Sequence, residues 1–79
     1  MASRLENIPP YTTVNISDAI VVHNKAQIPI FWSNDNFVKS GEGNRMSVGG
    51  TISLDTSGVY VRNDTCFEDV NVWIETVRP

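Results

Sequence analysis

The chain has 79 residues, a net charge of −3, one cysteine and one histidine. That length holds a single domain and buries only about 60% of the surface its unfolded form exposes, so self-association or attachment to a larger assembly is the expected source of extra stability. One cysteine excludes an intrachain disulfide, one His with one Cys excludes a structural zinc site, and six scattered basic residues at a pI near 4.8 argue against nucleic acid as a partner.

In chain order, residues 1–10 carry Ile8-Pro9-Pro10 with little periodicity. Paired prolines stop helices and favour extended backbone, so an extended N-terminal arm is expected over 1–10, followed by one β-sandwich domain over 11–79. Tyr11 to Ile16 is dense in aromatic and β-branched residues and reads as a strand. Ser17-Asp18 is a turn, and Ala19 to Asn24 is a strand apolar on both faces, as a central strand would be. After the polar turn Asn24 to Gln27, Pro29 delays the next strand to its far side or places it at an edge. The longest irregular segment is Asn34 to Arg45, with Phe37 and Val38 expected to tuck back onto the sandwich, and Met46 to Val48 is a candidate short strand.

Thr51 to Leu54 and Val59 to Arg62 flank Asp55-Thr56-Ser57-Gly58 and read as one β-hairpin whose turn ends in a positive-φ glycine. Asn63 to Asp69 is a polar loop. Val70 to Glu75 alternates with period two, placing Val70, Val72 and Ile74 on one face and Trp73 on the other, between Asn71 and Glu75. Trp73 is then either an interface anchor or a cover packed under the N-terminal arm. The closing strand and Val59 to Arg62 are expected to share a sheet. No segment carries helical apolar spacing and no internal repeat is evident. The fold class is therefore all-β: a small antiparallel β-sandwich or barrel of six to seven short strands with an extended N-terminal arm.

Chemistry is sparse. His23 ends a strand with no sequence sign of an orienting carboxylate and a nucleophile, and reads as structural. Cys66 sits among acids that disfavour its thiolate. Glu68-Asp69, and Asp35 with Glu42, are available carboxylate pairs, but adjacent strand residues face opposite ways and the chain is small for a substrate cleft. Asp35, Asn36 and Glu42 lack the spacing of a calcium loop, and Gly41-Glu42-Gly43 lacks the third glycine of a dinucleotide site. The longest apolar run, Ala19 to Val22, is far short of a membrane span, and the first residues lack the apolar core of a signal peptide. No enzyme activity, cofactor, metal or membrane partner is expected, and synthesis in a cytoplasm is.

One resemblance adds to this reading. It rests on Val21-Val22-His23-Asn24, Pro29-Ile30-Phe31-Trp32, Gly41-Glu42-Gly43-Asn44, Gly49-Gly50-Thr51-Ile52-Ser53-Leu54, Ser57-Gly58-Val59-Tyr60-Val61-Arg62 and Val70-Asn71-Val72-Trp73-Ile74-Glu75. In that order these pieces resemble a small β-sandwich module of tailed-bacteriophage virion proteins, of the head-decoration, head-fibre and tail-accessory type. The resemblance implies a non-enzymatic virion structural protein, made in the host cytoplasm, that decorates or stabilises the capsid or serves as an accessory head or tail component. Its implied partners are itself, as a homo-oligomer such as a trimer, and a major capsid or tail protein. The candidate partner interface is Ile8, Pro9, Pro10, Tyr11, Trp32 and Trp73. The competing reading is a carbohydrate- or receptor-binding module in which Trp32, Trp73 or Tyr60 stacks on a sugar beside the Asn34 to Asn44 loop.

Overall fold

The structure, a computed structural model, describes residues 2–34, 37–55 and 58–76. Eight strands and no helix occur among them: β1 (Ala2–Ile8), β2 (Thr12–Ile16), β3 (Ala19–Asn24), β4 (Ile30–Ser33), β5 (Asn44–Met46), β6 (Thr51–Ser53), β7 (Val59–Asn63) and β8 (Val70–Thr76). They form two antiparallel four-stranded sheets, ordered β1-β8-β3-β6 and β2-β7-β4-β5. An all-β sandwich is thus what the sequence composition specifies. The two strand orders are those of a jelly roll, in which eight strands wind through a pair of Greek keys.

Period-two alternation builds the core. Val70, Val72 and Ile74 of β8 face Val59 and Val61 of β7 across the sandwich, joined by Ile8, Ile16, Val22, Ile30 and Met46. All are at most 4% exposed. Pro29 stands immediately before β4, whose first residue Ile30 is fully buried, so the proline sits where its missing N–H costs the ladder nothing.

Three expectations need correction. Residues 2–8 are not a free arm: β1 pairs with β8 along its whole length, from Ala2↔Thr76 to Ile8↔Val70. Residue 1 lies outside the described residues. β1 escapes period-two reading because its core-side positions hold Arg4 and Glu6, opposite Ile74 and Val72. There Arg4 donates to both Asp18 carboxylate oxygens at 2.9 Å and to Glu6 at 2.6 Å, closing the flank of the sandwich. Inward charges of this kind also discourage a sheet edge from recruiting further strands. This strand brings the total to eight, against the six or seven expected.

Second, Thr51–Ser53 and Val59–Asn63 do not form a hairpin. β6 pairs with β3 in one sheet and β7 with β2 and β4 in the other, so the segment between them crosses the sandwich. Leu54 N–H donates to Ile20 O at 2.8 Å and Gly58 N–H to Ala19 O at 3.0 Å, tying the crossover to β3. The turn itself includes residues 56 and 57, outside the described residues, while Gly58 has φ 112°, a backbone open to glycine. Third, β7 and β8 lie in opposite sheets rather than sharing one.

A repeat is present in the topology. Strands β3-β4-β5-β6 and β7-β8-β1-β2 are interchangeable: in each set the first pairs with the fourth and the second with the third, and the two sets are joined by β3·β8 and β7·β4. Register makes specific residues equivalent. Thr51, His23, Trp73 and Leu5 form a row across the outer face of one sheet. Thr13, Arg62, Phe31 and Arg45 form the corresponding row on the other.

The equivalence reaches the loops. Asn24 and Asn63 end β3 and β7, and both are buried. Asn24 Nδ2 donates to Ile28 O, Met46 O and Ser47 O, and its Oδ1 accepts from Ala26 N–H. Asn63 Nδ2 donates to Ile8 O and Glu68 O, and its Oδ1 accepts from Thr65 N–H. Each asparagine therefore fixes the loop after its own strand and one of the two corners, β5–β6 or β1–β2, where the chain passes between sheets.

Candidate functional site

Register places four connections at one end of the sandwich: the β1–β2 corner (residues 9–11), the β3–β4 loop (25–29), the β5–β6 corner (47–50) and the β7–β8 loop (64–69). Three of the five large apolar side chains that are exposed among the described residues sit there: Tyr11 at 58%, Val48 at 50% and Phe67 at 88%. Tyr11 and Phe67 belong to neighbouring connections, because Asn63 bonds both Ile8 O before the corner and Glu68 O in the loop.

Both aromatics are held rather than loose. Tyr11 has φ 52°, a left-handed backbone that costs a non-glycine residue about 1 kcal/mol or more. Thr12 Oγ1 donates to Pro10 O at 3.0 Å beside it. Hydrogen bonding to the Cys66 side chain holds the Tyr11 hydroxyl above its ordinary pKa, reinforced by the electrostatics of the same group. In the β7–β8 loop, Thr65 N–H donates to Asn63 Oδ1 at 3.1 Å and Phe67 N–H to Thr65 Oγ1 at 3.2 Å. With Glu68 O bonded at 2.8 Å, successive side-chain bonds fix the loop and leave the Phe67 ring in solvent. Glu68 and Asp69 are exposed beside it, so the aromatic tip has an acidic rim.

Of the residues expected at a partner interface, Pro9, Pro10 and Tyr11 belong to this end. Ile8 does not: it is 0% exposed and part of the core. Trp32 is also withdrawn, since it pairs with Val61 on the inner face and packs against the core cluster. Trp73 lies on the outer face of β8 as its alternation requires, half-buried between Leu5 and His23. Phe67 was missed at the sequence level, although one large aromatic inside the polar run Asn63 to Asp69 is a legible signal.

The outer faces of the two sheets differ. On the β2-β7-β4 face the segment 37–43 lies across the strands as a strap. Val38, 1% exposed, tucks in as expected, Thr13 Oγ1 donates to Val38 O at 2.6 Å, and the Phe37 ring meets Tyr60 edge-on at 5.8 Å. Asp64 anchors the strap, accepting from Arg62 Nε at 2.9 Å, Gly41 N–H at 3.1 Å and Ser40 Oγ at 3.2 Å. The Arg62 bond leads in holding the Asp64 carboxyl below its ordinary pKa. Gly43 seats the end of the strap at φ 91°, with Val38 and the Trp32 backbone where a Cβ would project.

On the other sheet, His23 Nδ1 lies 2.7 Å from Thr51 Oγ1 and Nε2 lies 3.1 Å from Glu75 Oε2. Hydroxyl, imidazole and carboxylate thus stand in line across β6, β3 and β8. Both ring nitrogens are engaged, which fixes the ring and ties the three-residue edge strand β6 to the centre of the sheet. Asp35 and Asn36, considered for calcium with Glu42, lie outside the described residues. Among the described residues no group of three His, Cys, Asp or Glu side chains gathers to hold a metal. No family model, curated protein or solved structure matches the chain.

Proposed function

We propose that this chain is a non-enzymatic structural protein of a tailed-phage virion, an accessory subunit that docks onto a neighbouring capsid or tail protein through its aromatic end. The observation that carries the reading is the Tyr11–Phe67 tip. An 88% exposed phenylalanine on a loop fixed by side-chain bonds, next to a tyrosine in strained backbone, is a pre-ordered anchor that loses little entropy when a partner closes over it. The acidic rim of Glu68 and Asp69 fits an apolar socket bordered by basic groups. The jelly roll supports the reading by analogy only, since viral coat domains are among its users.

The test is particle association. Mass spectrometry of purified virions detects the protein, and it cosediments with shells assembled without it. Phe67→Ala and Tyr11→Ala each weaken that binding by about tenfold or more, the loss typical of an interface hot spot. Absence from the particle, or binding indifferent to both substitutions, overturns the proposal.

A further inference from the structure

The topological repeat gives the molecule two equivalent outer faces, and the strap 37–43 covers only one of them. The open face carries, in neighbouring rows, Asn7, Asn71 and Lys25, then Leu5, Trp73, His23 and Thr51, then Ser3, Glu75, Val21 and Ser53. A hollow of about 350 Å³ lies on it, lined by His23, Lys25 and Trp73. From this arrangement we infer that the outer face of β1-β8-β3-β6 binds a sugar carrying a carboxylate, independently of the attachment proposed for the aromatic end.

Each wall supplies one element of that recognition. Trp73 offers a half-buried indole, flanked on the neighbouring strands by Leu5 and His23, on which the C–H face of a pyranose can stack. The imidazole is oriented by Thr51 and Glu75, so it meets the ligand in a fixed position. Lys25 N–H is bonded to Asn71 O, which places this residue beside the Asn7–Asn71 amide pair, itself closed by a 3.1 Å bond. No carboxylate among the described residues lies within ion-pair distance of the Lys25 ammonium. Glu75 stands on the opposite side of Trp73, already engaged by His23. The polarity is directional: a carboxylate turns toward Lys25 and hydroxyls turn toward Glu75. The volume suits one or two sugar rings, and the hollow is open to solvent, which disfavours a wholly apolar ligand, since such a ligand needs enclosure.

The probes are methyl β-D-glucuronide, N-acetylneuraminic acid and, as uncharged control, methyl β-D-glucoside, titrated into the full-length protein. The readout is the indole N–H resonance of Trp73, with that of core-packed Trp32 as internal reference. The expected result is saturable movement of the Trp73 signal alone, with at least one acidic sugar binding about two- to fivefold tighter than the glucoside, the worth of one exposed ion pair. Lys25→Ala, at an exposed loop position, removes that preference and leaves the Trp32 signal in place. Trp73→Ala abolishes binding of all three. A Trp73 resonance that no sugar moves overturns the inference, as does an acidic preference that survives Lys25→Ala. Concentration-dependent broadening of Trp73 without sugar, with dimers in sedimentation, overturns it in favour of a second copy on this face.

Discussion

Asn63 and Asp64 do more for this molecule than their polarity predicts. Asn63 is 0% exposed and satisfies two carbonyls and one amide, one of them outside its own loop. Asn63→Ala leaves those groups buried without partners, and the expected cost is about 3 kcal/mol, read as a lower urea midpoint at unchanged m-value. Asn71→Ala, on the solvent side of β8, changes stability by less than about 0.5 kcal/mol in the same measurement. Asp64 contributes through charge. Its folded-state carboxyl is held low, first by Arg62 and then by Gly41 N–H and Ser40, against the opposing effect of burial. Stability from this residue is therefore complete above the unfolded carboxyl value of about 3.9 and is lost as pH falls through the lower folded value. Below pH ~4 the Tm of the wild-type protein should fall more steeply than that of Asp64→Asn, which lacks the titrating group. Parallel Tm curves for the two proteins down to pH ~2 would show that Asp64 holds no such share.

At the scale of the element, β1 tests what an edge strand is worth. It covers the open side of β8 and supplies Ile8 to the core, so removal of residues 1–8 uncovers a seven-residue ladder together with Val70, Val72 and Ile74. The truncated chain should lose its cooperative thermal transition and its β-type circular dichroism; a folded remnant that lacks only particle binding would instead restore the free-arm picture. This strand also marks the limit of what sequence reveals. Strand positions were legible where apolar and β-branched residues concentrate, as at Ala19–Asn24, and where one face is buried throughout, as at Val70–Thr76, where alternation reports that face directly. Alternation does not report which sheet a strand joins. Thr51–Ser53 and Val59–Asn63 look like hairpin arms because they flank a glycine turn, and only the pairing of β6 with β3 shows that the turn is a crossover. β1 was hidden by inward charges whose partner, Asp18, lies in another loop. Of the candidate site, Pro9, Pro10, Tyr11 and Trp73 were visible as aromatic and proline positions, of which Pro9 and Tyr11 are exposed while Pro10 and Trp73 are half-buried. Trp32 misled, since a tryptophan on a short strand gives no sign of its face, and the joining of His23 to Glu75 depends on tertiary register alone.

For the whole molecule, the repeat makes a demand on chain connectivity. The place between β8 and β1 is equivalent to the β4–β5 connection in the other half. Ala2 and Thr76 are directly paired, and Thr76 Oγ1 donates to Ala2 O at 3.2 Å. Paired residues of antiparallel strands lie about 5 Å apart, so joining residue 79 to residue 1 leaves a four-residue connection, an ordinary hairpin length. A permutant joined there and opened between residues 35 and 36 keeps every strand pair and both corners, and simply exchanges which half carries the termini. It should fold with native-like circular dichroism and a single cooperative transition. A permutant with the same join, opened between Pro9 and Pro10, cuts the corner that Asn63 fixes through Ile8 O and leaves two edge strands without their covalent link. That chain should be clearly less stable in urea than the first. Equal stability of the two would mean that the corners are mere connections; failure of the first alone would mean that the repeat is a coincidence of strand order, with the β4–β5 connection, and not the equivalence of the halves, holding the fold together.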